Sequence, residues 1–266
     1  MPSIFPLEIE EMILDLLAED DEDHLALKMC SLVCQSFLPI CRKHIFKSIR
    51  VAFQVDDHNF KLTSSPTHAF ERLLHETPEI ADYIRKLDLS IPILDLTRPS
   101  IQESLKRISR LEFLTLRDHN VHNVQRLDWS SNPIRPALLH LLHLPTLTHF
   151  KVNHIEVFAV SDFIPCVNLK YLDIAGGYTF TPAENTFPTA LPEHSIQLNE
   201  FVTGYGASAA AIMELCTARR PDGQPIIDFG SLSKITVAFI GLSESRALQE
   251  LFRHCHVLTN VSMSCK

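Results

Sequence analysis

The sequence predicts an α/β protein: three short N-terminal helices, then an irregular array of short parallel strands with helical or loop returns. Three observations carry this expectation. The first fifty or so residues hold large apolar groups at helical spacing around an acidic break. Beyond them, the spacing L-x-x-L-x-L recurs down the chain. Between most copies lies a segment of helical periodicity, so strand and return alternate.

The N-terminal unit comes first. Leu7, Ile9, Met12, Ile13, Leu14, Leu16 and Leu17 precede the run Glu19-Asp20-Asp21-Glu22-Asp23. Leu25, Leu27, Met29, Leu32, Val33, Cys34, Phe37, Leu38, Ile40, Ile45 and Phe46 follow it. Ser3 can cap a first helix, Pro6 suits its first turn, and Glu8, Glu10 and Glu11 complement its dipole. Ile9, Met12, Ile13 and Leu16 fall on one face, with Leu7, Leu14 and Leu17 on a neighbouring one. Asp23 is placed to cap a second helix through about Met29. A third runs from about Gln35 to Phe46 with Pro39 near its start, where the lost hydrogen bond costs least. A unit this small cannot surround so many large side chains, and an apolar patch left over marks a binding face.

The string Phe5-Pro6-Leu7-Glu8-Ile9 … Ile13 … Leu16-Leu17 … Leu25 … Cys30-Ser31-Leu32-Val33-Cys34-Gln35-Ser36-Phe37 … Arg42 … Phe46 resembles an F-box. It is similar to the F-box-like form with a Ser-Leu-Val-Cys core that is common in fungal families. Phe5 stands where Leu is common and Phe37 where Trp is, and the acidic stretch is a little longer than usual. The resemblance implies docking onto the Skp adaptor, and through it a cullin, of a ubiquitin ligase, the rest of the chain holding a protein substrate. The residues it assigns to that contact are Phe5, Pro6, Leu7, Ile9, Ile13, Leu16, Leu17, Leu25, Val33, Cys34 and Phe37. The expected organisation is an F-box domain at 1–50, a connecting segment with a helix at 51–83, and a substrate-binding domain at 84–266.

That last domain is read from the repeat. Copies stand at Ile84/Leu87/Leu89, Leu111/Leu114/Leu116, Leu147/Phe150/Val152 and Leu169/Leu172/Ile174. Weaker ones are Leu198/Phe201/Thr203, Leu232/Ile235/Val237 and Leu258/Val261/Met263. Their middle positions are 27, 36, 22, 29, 34 and 26 residues apart, so the pattern resembles a divergent leucine-rich-repeat solenoid with insertions. Helical returns are expected at Ser100–Arg110, Pro136–Leu144, Ala207–Arg219 and Ser243–His254, with a helix in 66–83 and a loop over 176–197. The Asn that follows a leucine-rich strand is only approximated, by His119-Asn120 and Asn153-His154. A solenoid ends in a polar cap, and Lys266 follows the last apolar strand position closely, so the C-terminus is read as truncated or unstable. Alternation along the strands puts Asp88, Arg117, His149, Lys151, Tyr171 and Asp173 on the solvent side as candidate substrate contacts.

Composition excludes several classes. A net charge of −8 lacks the electrostatic footprint of a nucleic-acid binder. No run of eighteen apolar residues suggests a membrane span, and no basic flank precedes an apolar N-terminal run as in a secretory signal. Seven cysteines without such a signal point to reduced thiols in the cytoplasm or nucleus. Gly204-Tyr205-Gly206-Ala207 has a strand-to-helix context, yet lies late in the array without the βαβ surround of a nucleotide site. Cys30, Cys34, Cys41 and His44 are zinc-ligand types without a CxxC pair, and His254-Cys255-His256 reads as a helix terminus. No G-x-S-x-G or other nucleophile signature is present. Together with the F-box resemblance, which implies an adaptor, the expectation is a non-catalytic protein with no metal or cofactor; the alternative is a Skp-binding or repeat scaffold without a ligase role.

Overall fold

The structure, a computed structural model, describes residues 6–20, 24–52, 66–90, 98–117, 133–153, 158–175, 180–181, 191–204, 209–239 and 242–265. Three helices open it: α1 (Leu7–Asp20), α2 (Leu25–Val33) and α3 (Phe37–Ile45). Leu14, Leu27, Ile40 and Cys41 close a small core among them. α2 runs four residues beyond the expected Met29, and its N-cap position is His24, left-handed at φ 53° with no side-chain cap. Asp23, expected as that cap, lies outside the described residues.

Eight parallel strands then pair in a sheet whose order is their order along the chain. They are β1 (Ser48–Ala52), β2 (Lys86–Ser90), β3 (Phe113–Arg117), β4 (His149–Asn153), β6 (Tyr171–Ala175), β9 (Glu200–Thr203), β11 (Lys234–Phe239) and β12 (Asn260–Cys265). Two-residue strands β5 (Phe158–Ala159) with β7 (Phe180–Thr181), and β8 (Ile196–Gln197) with β10 (Ile227–Asp228), make side pairs. The returns are α4 (Pro66–Glu76), α5 (Pro99–Lys106), α6 (Arg135–Leu142), α7 (Ala209–Thr217) and α8 (Leu242–His254), with 3-10 turns at Pro78–Asp82 and Val160–Phe163.

The register shows why the spacing recurs. Ile49, Leu87, Leu114, Phe150, Leu172, Phe201, Ile235 and Val261 are successive partners in one line across the sheet. The seven middle positions of the repeat thus occupy one row, and the row from Leu87 to Ile235 is buried at 1 % exposure or less. The position three residues earlier (Ile84, Leu111, Leu147, Leu169, Leu198, Leu232) is buried behind each strand in the same core. At each junction one carbonyl accepts two N–H bonds from the start of the next strand. Lys47 O takes them from Arg85 and Lys86, Arg85 O from Glu112 and Phe113, and Glu112 O from Thr148 and His149. The pattern continues to Ser233 O, which accepts from Thr259 and Asn260. The helical returns bury Phe70, Leu74, Ile101, Leu105, Leu138, Leu141, Ile212, Leu215, Leu248 and Leu251 against this row.

The sheet begins at Ser48, ahead of the 84 at which the array was expected to start. Residues 66–82, expected as a connector, are the return between β1 and β2. Phe46/Ile49/Val51 carries the repeat's own spacing, and Phe46 and Ile49 pack on the main core. The helical unit is tied to the sheet there. Arg42 Nη1 donates to Glu79 Oε1 at 3.2 Å, while within the helical unit His44 Nε2 lies 2.7 Å from Asp15 Oδ1, joining α3 to α1.

Candidate functional site

Two surfaces carry the residues expected to act. The first lies on α1 and α2. Ile9, Met12, Ile13 and Leu16 repeat at three- and four-residue steps along α1, and Leu25, Met29, Leu32 and Val33 do so along α2. All eight are exposed, Leu32 and Val33 to 80 % and 79 %. Two apolar stripes therefore face solvent on helices whose opposite sides close the small core. Cys34 ends the second stripe, exposed; its thiol is held below the usual value first by the Ser36 hydroxyl at 3.0 Å, then by the Ser36 backbone. Pro6 is also exposed.

Two residues expected on this surface are turned inward. Leu17, one turn on from Leu14, and Phe37, one turn before Ile40 and Cys41, pack against the small core, because i and i+3 share a helix face. Phe5 and the side chain of Leu7 lie outside the described residues. Met12, Met29 and Leu32 join the surface without having been assigned to it; the helical phase of Ile9, Ile13 and Leu25 was the signal that places them there.

The second surface is the sheet face opposite the core. All six candidates, Asp88, Arg117, His149, Lys151, Tyr171 and Asp173, lie on it, alternating with the buried row. One line across the strands reads Lys86, Phe113, His149, Tyr171, Glu200, Lys234. Phe113 stacks on His149 with centroids 4.1 Å apart, and His149 on Tyr171 at 5.4 Å, both inclined by 25°. Burial depresses the His149 pKa, partly offset by Glu200 and Glu112. The Tyr171 hydroxyl, raised first by burial and then by Asp173 and Glu200, is pushed up to about 12.

The next line reads Arg50, Asp88, Thr115, Lys151, Asp173. Asp88 Oδ2 lies 3.8 Å from both Arg50 Nε and Arg117 Nη2, Lys151 pairs with Asp173, and Lys234 Nζ lies 2.8 Å from Glu200 Oε1. Five cations (Arg50, Lys86, Arg117, Lys151, Lys234) thus meet three carboxylates (Asp88, Asp173, Glu200). The carboxylates sit deeper: their side chains are 16, 4 and 28 % exposed, against 67 % for Arg50 and 48 % for Lys234. Asp173, expected at the surface, is buried beneath Lys151. Phe113, Arg50 and Lys86 belong to the face and were not assigned to it, although the same alternation marks them.

The glycine turn and the His and Cys clusters have geometry of another kind. Gly204 lies where a Cβ would come within 2.2 Å of the Ala175 Cβ, so close strand approach accounts for the glycine without a ligand. Tyr205, Gly206 and Ala207 are outside the described residues. Among the described residues no three His, Cys, Asp or Glu are placed to hold a metal ion, and no helix is long and apolar enough to cross a membrane. No protein-family model matches the chain, and no curated protein matches it either.

Proposed function

We propose that the chain is the substrate-recognition subunit of a Skp–cullin–F-box ubiquitin ligase. In this reading α1–α3 dock on a Skp-type adaptor, and through it on a cullin. The sheet and its returns, read as a divergent leucine-rich-repeat array, hold a protein client. The observation that carries the reading is the pair of solvent-facing apolar stripes on α1 and α2, on the segment that resembles an F-box. The chain makes and breaks no bond; it raises the effective concentration of a client lysine near the loaded enzyme.

The test is titration of the intact chain against a purified Skp-type adaptor, with Ile13→Glu and Leu32→Glu as variants. Both side chains are more than half exposed, so the free chain should keep its melting temperature. In the complex each variant loses about 1–2 kcal/mol of apolar burial and places a carboxylate in an apolar contact. A weakening of at least about 100-fold is expected. Phe37→Glu is a poor probe, since Phe37 packs on the small core. A folded chain that does not bind the adaptor, or binding indifferent to both substitutions, would sink the proposal. Ubiquitin transfer to a bound client separates the ligase role from a scaffold.

A further inference from the structure

We propose that the β1–β3 end of the sheet face docks a carboxylate-rich segment of a client protein. This rests on the reading of the sheet as the client-binding part and names the chemistry of what it takes. The charges of the face are not evenly spread. From β4 onward they cancel in pairs, Lys151 with Asp173 and Lys234 with Glu200. On the described strands β1–β3, Arg50 and Arg117 flank Asp88 and Lys86 stands two residues before it on the same face, so three cations there meet one carboxylate. By the register, Lys86 lies one strand across and two residues along from Arg50, about 8 Å, which matches the screening length at physiological salt, so the fields of these two charges overlap, with Arg117 farther off.

Among the described residues, no hydrogen bond from the Arg50, Lys86 or Arg117 side chain occupies the donors there. Both contacts of Asp88 with the guanidiniums, at 3.8 Å, are longer than a hydrogen bond. Arg117 Nε is buried with no hydrogen-bond partner among the described residues, and Arg50 and Lys86 are exposed. Arginine forks of this kind match carboxylates in paired geometry. Beside them the Phe113 ring, 36 % exposed at the end of the aromatic stack, offers an apolar contact. The rest of the chain is acidic, with a net charge of −8, so this patch is a local exception to the chain's overall charge. Such a chain repels a long polyanion at a distance, which favours a short acidic protein segment over nucleic acid.

The experiment uses the full chain and fluorescence anisotropy with four labelled probes. They are a short Asp/Glu-rich peptide with interspersed apolar residues, its Asn/Gln counterpart, that counterpart carrying phosphoserine, and a single-stranded oligonucleotide of similar length. The Asp/Glu peptide should bind, the Asn/Gln peptide should not, and binding should weaken as salt rises. Combined Arg50→Gln and Lys86→Gln should weaken it by about 3- to 30-fold. The equal charge change Arg72→Gln with Lys106→Gln, on exposed helical positions, should leave it unchanged. Equal binding of the acidic and amide peptides, or retained affinity in the Arg50/Lys86 variant, would overturn the proposal. So would preference for the phosphoserine peptide or the oligonucleotide. The salt dependence of the unsubstituted chain tests the charge argument even if the double variant does not fold. Adaptor titration on the same preparation separates the two readings: peptide binding can fail while adaptor binding stands, and the reverse.

Discussion

Substituting Gly204 tests the packing that sets the spacing of the strands behind the candidate face. An alanine Cβ at 204 would stand 2.2 Å from the Ala175 Cβ and 3.1 Å from its Cα, against an ordinary contact of about 3.5–4.0 Å. The conflict cannot relax by splaying an edge, since β6 is held by β4 and β9, and β9 by β6 and β11. It also falls on the Gly204 N–H bond to Ile174 O, 2.7 Å long. Overpacking of this kind costs about 1–3 kcal/mol and a weakened hydrogen bond up to about 1 more, so Gly204→Ala should destabilise by about 2–3 kcal/mol. Gly204 is not among the positive-φ residues, so backbone strain adds little. Ala175→Gly alone should cost about 0.5–1 kcal/mol. The double variant removes the 2.2 Å conflict, leaving only the 3.1 Å approach to the residue 175 Cα, and should recover most of the loss, a coupling of about 2 kcal/mol. Urea unfolding followed by circular dichroism, with the m-value checked for constancy, measures all four species. A neutral Gly204→Ala, or additive effects in the double variant, would refute the packing account and reopen a ligand-contact role for the glycine.

Two further outcomes follow from the sheet face. Lys151→Met leaves the Asp173 carboxylate buried without its cation and should cost about 2 kcal/mol, below the full buried-pair value because Lys151 is one-third exposed; Lys151→Met with Asp173→Leu should recover most of it in the same unfolding assay. His143 and His149 are both depressed below the ordinary 6.5, first by burial. The unfolded chain therefore takes up their protons first, and stability present above about pH 6.5 is lost as the pH falls through that value toward the folded pKa values. His149→Phe, which keeps the stack, should reduce the slope measured between pH 7.5 and 5.5, and an unchanged slope would exclude His149 as a source.

Most of the sheet was legible because a strand with one buried face repeats its apolar groups every second residue, and parallel pairing stacks those groups in register. The seven copies from Leu87 to Val261 fall on one line for that reason. β1 escaped because Phe46, Ile49 and Val51 sit directly against α3, where the same apolar groups also satisfy a helical pattern. On the helices, periodicity located the stripes but not which of two adjacent stripes is buried. Leu17 and Phe37 were assigned outward and Met12, Met29 and Leu32 were passed over, since a wide apolar arc has no unique inward direction. The depth of Asp173 was also out of reach, because alternation gives the face of a strand and not what a neighbouring lysine covers.

The exposed stripes are not relieved by a different packing of the same three helices. Turning α1 by one residue, about 100°, would bring Ile13 inward, but it would carry Leu14, 3 % exposed, and Leu17 out of the small core. The His44–Asp15 contact between α3 and α1 would be lost with it. α3 has no such freedom, since Phe46 and Ile49 just beyond it are packed on the main core and Arg42 is bonded to Glu79. Two cores and the bonds between them thus fix the helices in a phase that leaves eight large apolar side chains in water. Fully burying one such side chain stabilises by about 1.5–3 kcal/mol, so cover from outside the described residues recovers several kcal/mol that no rearrangement of α1–α3 can. In the proposed reading that cover is the adaptor, and the end of the sheet proposed to take carboxylates begins at β1, the strand that follows α3.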